Sequence, residues 1–312
     1  MSFSDAELKK HCETIMQSRR AKGKIVILCE GGDNDILIGR PSPSAYGQLE
    51  KQPDANFYKA CIPQWWIQKR PEFFVCGDKT NVLNTYFELQ KMHENKRTDS
   101  YLDKNKIFAL VDLDLEPAKV LENYPIENTE QLFNALYQEN KPQLDNIKQH
   151  PIFITGLIYK EAYFFVPELK ETFENYSLEI LFDDLPFDLN AVYEKMGASF
   201  GMDKNLENNY SIAKQRISYL TQLDLTNITT LQSSWIEVFN LAQAEEKTAL
   251  IYALLSIHQI KDYWKLIKSD SEISEARFKE QLTLSIGSFY AKQPRESPHH
   301  LPSFFNALST TA

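Results

Sequence analysis

Three acidic residues follow short apolar runs of the sequence, at points where predicted strands end. Glu30 closes the run 24–30, and Asp112 and Asp114 close the run 106–112 with the spacing Asp-x-Asp. Ligands of open α/β sheets bind beyond the carboxyl ends of the strands, and carboxylates two residues apart share a face while the chain stays extended. Converging carboxylates repel unless a cation lies between them, and Mg²⁺ or Mn²⁺ prefers such oxygen ligands. The pattern therefore predicts a divalent-metal site suited to phosphodiester hydrolysis or transfer.

Four apolar runs without polar alternation supply the strands that must position these carboxylates. The runs span residues 24–30, 72–77, 106–112 and 151–155. Unbroken runs of this kind are typical of strands buried on both faces, and the apolar face of residues 80–93 predicts a helix between two of them. Alternation of strands and helices predicts an α/β fold, with a mostly parallel sheet flanked by helices.

The chain divides into three predicted parts. They are an N-terminal helix (1–23), a sheet-bearing catalytic part (24–170) and a mainly helical part that ends in a tail (171–312). Strand-like runs stop after Pro167, and helical periodicity dominates from there, most clearly over residues 234–268. We therefore place a domain boundary near residue 170.

Two segments are predicted to lack regular structure. Residues 38–55 carry three Pro and two Gly and predict an insertion loop, followed by a short helix near residues 56–62. The stretch from Gln293 onward contains three more prolines and predicts a loosely held tail. We expect His299 and His300 to be exposed in that tail.

The charge balance limits how the chain could meet nucleic acid. It carries 34 Lys and Arg against 43 Asp and Glu, a net charge of -9 over 312 residues. A protein that binds nucleic acid by bulk attraction is basic, so contact here would need a local basic patch, a metal ion or a partner. No apolar stretch approaches the about 20 residues of a membrane span, and the first residues show no signal-peptide core. The four cysteines form no C-x-x-C pair, so we expect a cytoplasmic protein with reduced thiols and no membrane contact.

Several common catalytic motifs are absent from the sequence. The stretch Gly77-Asp-Lys79-Thr80 resembles the end of a P-loop but lacks the upstream glycine, so nucleotide hydrolysis by this chain is not predicted. No G-x-S-x-G occurs, which argues against an α/β-hydrolase. The six histidines show no zinc-binding spacing with the cysteines.

The order strand–Glu-Gly, strand–Gly–helix, strand–Asp-x-Asp resembles the Toprim domain, the Rossmann-like fold of topoisomerases, bacterial primases and OLD-type nucleases. The residues that carry the resemblance are Ile27-Leu-Cys-Glu30-Gly31 and Leu110-Val-Asp112-Leu-Asp114. Residues 75–82, Val-Cys-Gly-Asp-Lys-Thr-Asn-Val, look like the gGK-x-nV turn of OLD-related families that include effectors of anti-phage defence. Residues 159–163, Tyr-Lys-Glu-Ala-Tyr, resemble the iEny segment of those families. The resemblance covers roughly residues 24–167.

The resemblance implies a Mg²⁺-dependent endonuclease and a role for each matching residue. Asp112 and Asp114 would hold the metal, and Glu30 would join them or act as general acid or base. Glu161 would bind a second ion, with a helix-capping role as the alternative. Lys79 would stabilise phosphate charge, with a solvent-exposed lysine in a turn as the alternative.

The resemblance also implies a biological role. It suggests a toxic effector of bacterial anti-phage defence that cleaves DNA or RNA, tRNA included, forms a homodimer and works beside a partner ATPase sensor. One alternative is a catalytically inactive Toprim-derived binding or scaffold subunit. Another is a phosphatase of the HAD type. In that family the Asp-x-Asp follows the first strand, whereas here Glu30 follows the first strand, which argues against this alternative.

Overall fold

The computed structural model describes residues 3–31, 53–94, 100–120 and 124–310. The predicted insertion at residues 38–55 lies outside these ranges, except for its last three residues, which begin a helix. That helix, Pro53–Ala60, starts slightly earlier than the predicted one. No helix of the described chain is both long and apolar enough to cross a membrane.

Nine strands form three sheets in the described chain. In chain order they are β1 (Val26–Cys29), β2 (Glu72–Val75), β3 (Ile107–Val111), β4 (Tyr137–Gln138), β5 (Lys141–Pro142), β6 (Ile152–Ile154), β7 (Ile180–Phe182), β8 (Leu185–Pro186) and β9 (Ile267–Ser269). The main sheet has the order β2-β1-β3-β6, and all its neighbours are parallel. These are the four strands predicted from the apolar runs, so the α/β prediction is confirmed.

Fourteen α-helices accompany the sheets in the described ranges. They are α1 (Asp5–Met16), α2 (Pro53–Ala60), α3 (Lys79–Glu94), α4 (Thr129–Leu136), α5 (Leu144–Ile147), α6 (Lys170–Glu174), α7 (Leu189–Gly197), α8 (Lys204–Asn208), α9 (Tyr210–Arg216), α10 (Ile228–Leu241), α11 (Ala244–Ile257), α12 (Lys261–Lys265), α13 (Glu275–Ala291) and α14 (His300–Ser309). Helix α3 packs against β1 and β3 of the main sheet, and α1 packs on α3. Helix α2 packs against β2, and α13 packs on α2. The central sheet is therefore flanked by helices, as predicted.

The mainly helical part after Pro167 also contains strands, although the sequence shows no clear strand-like run there. Strands β7, β8 and β9 form a small antiparallel sheet in the order β8-β7-β9. The helical periodicity over residues 234–268 corresponds to α10, α11 and α12, which are separated by short breaks. Two-residue and three-residue strands leave almost no periodic signal, which explains why the sequence pattern did not reveal them.

The prediction of a loose C-terminal tail is wrong. Helix α14 packs on the main sheet, with the Phe304 ring stacked 4.3 Å from that of Phe153 and the Phe305 ring edge-on to that of Phe73 at 6.4 Å. His299 and His300 are buried, not exposed. The four cysteines are buried without forming a disulfide, in agreement with the prediction of reduced thiols.

Candidate functional site

Glu30 and Asp112 follow the two central strands of the sheet. The chain proceeds from β1 to β2 on one side and then returns to place β3 on the other side of β1, so the strand order reverses between β1 and β3. Open α/β sheets bind ligands in the crevice at such a switch point. Because Cys29 of β1 pairs with Leu110 of β3, the two carboxyl groups emerge side by side. Glu30 Oε1 accepts a hydrogen bond of 2.6 Å from the Asp112 N–H.

Two glycines hold the ends of β1 and β2 together beside these acids. Gly31 and Gly77 exchange both backbone hydrogen bonds, at 2.9 and 3.0 Å. Their φ angles of 124° and 86° lie in a region that favours glycine over residues with a Cβ. The same backbone exchange positions Asp78, whose carboxylate accepts the Asn81 N–H and so caps the start of α3. Both glycines therefore lie at the edge of the sheet where the acids emerge, and both line a pocket there.

A pocket of about 170 Å³ lies at this point, at the carboxyl end of the sheet. It is lined by Glu30, Gly31, Tyr58, Gly77, Asp112, Lys160, Glu161 and Lys261. Three of the five predicted site residues, Glu30, Asp112 and Glu161, therefore share one pocket. Asp114 and Lys79 are adjacent in space but do not line it.

Burial and mutual repulsion raise the pKa values of two acidic groups in the pocket. Burial raises the pKa of the Glu30 carboxyl to about 7, and the hydrogen bond from the Asp112 N–H offsets only part of that rise. Burial also raises the pKa of Asp112 well above its usual range, and the carboxylates of Glu30, Asp114 and Glu161 raise it further. Buried carboxyl groups that repel one another in this way favour either a bound proton or a bound cation.

Asp114 does not line the pocket and instead pairs with Lys79. The backbone at Asp114 adopts a φ of 38°, so the chain turns after β3 instead of staying extended. The condition under which Asp112 and Asp114 would share a face, an extended chain, is therefore not met at Asp114. Lys79 Nζ lies 2.9 Å from Asp114 Oδ2, and its side chain is buried. The alternative interpretation of Lys79 as a solvent-exposed lysine in a turn is therefore wrong.

A buried arginine supports the turn at Asp114. Arg216, at the end of α9, binds Glu130 through Nη2 at 2.5 Å and through Nε at 3.0 Å. The same guanidinium donates to the Asp114 carbonyl and to the Ser256 carbonyl. One side chain from the second half of the molecule thus links three segments beneath the site. No local motif distinguishes Arg216 in the sequence, and the sequence analysis missed it.

Glu161 lies in a short 3-10 helix, Lys160–Phe164, beside the pocket. Its Oε1 is 3.4 Å from Lys160 Nζ, whereas its Oε2 is buried without a hydrogen-bond partner. The helix has no side-chain cap, so the capping alternative for Glu161 is wrong. A buried carboxylate oxygen without a partner is costly, and a ligand or cation at this position would remove that cost.

The lysines of the pocket were missed by the sequence analysis. Burial lowers the pKa of Lys160, and the adjacent carboxylate of Glu161 counteracts part of this change. Lys261 begins α12, far along the chain, and its Nζ lies 4.2 Å from the centre of the Tyr159 ring. Lys261 reaches the acidic residues only because the second half of the chain packs on the sheet. A local sequence pattern does not reveal such a long-range contact.

The donor set suits a hard divalent cation. Glu30, Asp112 and Glu161 offer carboxylate oxygens, the ligands that Mg²⁺ and Mn²⁺ prefer, and Glu161 Oε2 is buried without a hydrogen-bond partner. With the side chains as they stand, no three acidic, His or Cys groups of the described chain are arranged to ligate one ion. The residues therefore fit the ion in chemistry, and binding would require their side chains to adjust.

A second polar cluster lies in the helical half. Ser199 Oγ is 3.1 Å from His258 Nε2, and His258 Nδ1 is 2.9 Å from Asp203 Oδ2. Asp203 also accepts the backbone N–H groups of Leu206 and Gln259, and His258 is buried. These backbone hydrogen bonds join α8 to the end of α11, so we interpret the cluster as a structural junction.

No protein-family model matches the sequence, and neither the curated proteins nor the solved structures contain a significant match.

Proposed function

We propose that the protein is a Mg²⁺- or Mn²⁺-dependent nuclease of the Toprim class that hydrolyses a phosphodiester bond of DNA or RNA. One observation carries the proposal: Glu30, Asp112 and Glu161 line a single pocket with two lysines at the switch point of a parallel sheet. Carboxylates beside lysines are suited to a metal-bound phosphate.

The resemblance to Toprim domains supports the same function. That resemblance requires a Glu after the first strand and an Asp after the third to lie close together, and here they are hydrogen-bonded neighbours. It also supports the proposals that the active protein is a homodimer, acts beside a partner ATPase sensor and is toxic in bacterial cells as part of anti-phage defence. Growth arrest on expression of the wild type, absent with an inactive variant, would test the toxicity.

The proposal assigns distinct roles to the residues of the site. Glu30, Asp112 and Glu161 would hold the cation, which when bound would polarise a phosphoryl oxygen and lower the pKa of an attacking water. Lys79 neutralises Asp114 by their ion pair and thereby keeps a fourth negative charge away from the substrate phosphate. The Asp112 N–H orients the Glu30 carboxylate.

The test is a cleavage assay on plasmid DNA and on total RNA, with Mg²⁺, Mn²⁺ or EDTA. We expect metal-dependent cleavage that falls about 100-fold or more in Glu30→Gln. Glutamine retains an oxygen that can accept the Asp112 N–H, so this change removes the charge and keeps the hydrogen bond. Loss of one charge from an acidic cluster relieves repulsion, so we expect an unchanged or higher melting temperature.

The matched control is Glu237→Gln, which removes the same charge from an exposed position on α10. We expect this variant to cleave like the wild type. Cleavage that resists EDTA, or that survives in Glu30→Gln, would contradict the proposed function.

A second candidate is an inactive Toprim-derived scaffold subunit. Two observations favour it: the carboxylates of the described chain are not arranged to ligate one ion as they stand, and Asp114 is already paired with Lys79. Calorimetric titration with Mn²⁺ separates the candidates, because a scaffold predicts no heat of binding that depends on Glu30.

A further inference from the structure

Lys261 reaches the acidic pocket from the second half of the chain. It is the first residue of α12, and the end of the preceding helix is joined to the site segment by a 3.0 Å bond from the Ile158 N–H to the Leu255 carbonyl. The ammonium group of Lys261 lies 4.2 Å from the centre of the Tyr159 ring. The position of Lys261 at the pocket is therefore set by packing between the two halves of the molecule.

The three lysines at the site differ in their partners. Lys79 pairs with Asp114 at 2.9 Å, and Lys160 lies 3.4 Å from a Glu161 oxygen. Lys261 Nζ, by contrast, contacts an aromatic face and forms no ion pair with any residue that the structure describes. Lys261 nevertheless lines the same pocket as Glu30 and Asp112. Lys261 thus carries a charge that is available to an incoming anion.

The size of the pocket limits what can enter. Its volume of about 170 Å³ corresponds to about six waters, at about 30 Å³ each. Pockets for drug-sized ligands span about 300–1,000 Å³, so a nucleoside does not fit here. A single phosphate group with a hydrated cation does. Recognition inside the pocket is therefore expected to depend on the phosphate and not on the base.

We propose that Lys261 binds a non-bridging oxygen of the substrate phosphate at the mouth of the carboxylate pocket, so that the C-terminal half of the chain completes the nucleic-acid site. The inference rests on the proposed function, because it assumes that the ligand of the pocket is a nucleic-acid phosphate. Lysine is suited to this role as a point charge on a flexible stem.

The test compares Lys261→Met with the wild type in oligonucleotide binding at several salt concentrations. Methionine keeps an apolar stem against Tyr159 and removes the charge. Single-stranded DNA and RNA homopolymers are titrated in Ca²⁺ to limit turnover. We expect about tenfold weaker binding of every homopolymer, and a slope of log K against log salt that is smaller by about one, as for the loss of one phosphate contact. Lys261→Arg should restore the slope.

Lys265→Met is the matched control on the same helix, since Lys265 is exposed and paired with Asp262 at 2.6 Å. It should bind like the wild type. Mn²⁺ binding should be retained in Lys261→Met, because the cation is assigned to the carboxylates.

The outcomes separate the two proposals. A salt slope in Lys261→Met equal to that of the wild type overturns the role of Lys261, even where Glu30→Gln abolishes cleavage. Loss of Mn²⁺ binding in Lys261→Met also overturns it, because Lys261 would then organise the carboxylates. Salt-dependent oligonucleotide binding without metal-dependent cleavage would overturn the proposed nuclease activity. The role of Lys261 would then be decided by whether the salt slope of Lys261→Met is smaller than that of the wild type. A wild type that binds no oligonucleotide overturns both.

Discussion

His300 lies in the core at the start of α14, and its ring makes two hydrogen bonds that suit only the neutral form. Nε2 is 2.6 Å from the Asn140 carbonyl, which can only accept, so Nε2 carries the proton. Nδ1 is 3.2 Å from the Tyr163 hydroxyl, whose oxygen already accepts the Gly156 N–H. The hydroxyl therefore donates to Nδ1. A second proton on the ring would leave the Tyr163 hydroxyl without its acceptor and place a charge in the core.

The cost of that charge follows from the pKa of His300. Burial lowers it from 6.5 to about 4, the bond to Asn140 opposes this change, and His299 adds to it. Because the folded pKa is below the unfolded one, the unfolded state binds more protons as the pH falls below 6.5. Stability is therefore complete above pH 6.5 and is lost towards pH 4. At about 1.4 kcal/mol per pH unit, the loss from His300 reaches about 1 kcal/mol at pH 5.5 and about 3 kcal/mol at pH 4.

The assay is urea unfolding between pH 7.5 and 4.5 for the wild type and His300→Gln. Glutamine retains an N–H for the Asn140 carbonyl but does not titrate. We expect the unfolding free energy of the variant to fall by about 1 kcal/mol less between pH 7.5 and 5.5. His93→Gln, at a partly buried histidine, serves as the control and should keep most of the wild-type pH dependence. Where His300→Gln fails to fold, NMR titration of the wild-type imidazole gives the same answer. Equal pH dependence in both proteins, or a His300 ring that titrates near pH 6.5, would refute the reasoning.

Two further predictions concern the packing of the helical half. Arg216→Met should cost about 3–5 kcal/mol in urea unfolding, because it strands the carboxylate of Glu130 in the core, and Glu130→Gln in the same protein should recover part of that loss. Purely additive losses would contradict this account. Gly197→Ala should cost about 1–3 kcal/mol, because the new Cβ would lie 2.3 Å from ring atoms of Trp235. The control Gly201→Ala, where the closest atom is the end of a flexible side chain at 3.3 Å, should change stability by less than about 0.5 kcal/mol. Equal losses in the two variants would show that the contact with Trp235 is not the cause.

The main sheet could be predicted because its strands are buried on both faces. Such strands require unbroken apolar runs, and the runs at β1 and β3 are of this kind. Once the strands are parallel neighbours, the residues after them must meet at one edge. Given that β1 and β3 are neighbours, the proximity of Glu30 and Asp112 follows from their positions after these strands.

The C-terminal helix could have been predicted from its apolar spacing. Leu301, Phe304, Phe305 and Leu308 recur at helical intervals, but the prolines nearby favoured a tail. Pro302 is compatible with the helix because it lies in the first turn, where backbone N–H groups have no partner within the helix.

The rest of the site depends on contacts between distant segments. Asp114 leaves the extended conformation at a turn whose carbonyl is held by Arg216, a residue about a hundred positions away. Lys261 is more distant still. Neither Arg216 nor Lys261 lies in a recognisable sequence motif. Their roles arise from tertiary packing and not from local propensity.

The charge of the whole chain indicates where affinity for a phosphate must arise. A net charge of -9 gives nucleic acid no long-range attraction, so binding would depend on contacts made at short distance. Beside the pocket, Lys79 is paired with Asp114, and within it Lys160 adjoins Glu161, which leaves the cation and Lys261 to meet the phosphate. On the proposed function, the carboxylates supply affinity only after a cation has reversed their charge. Phosphate binding should then require the metal, and EDTA should abolish binding of the oligonucleotide as well as its cleavage.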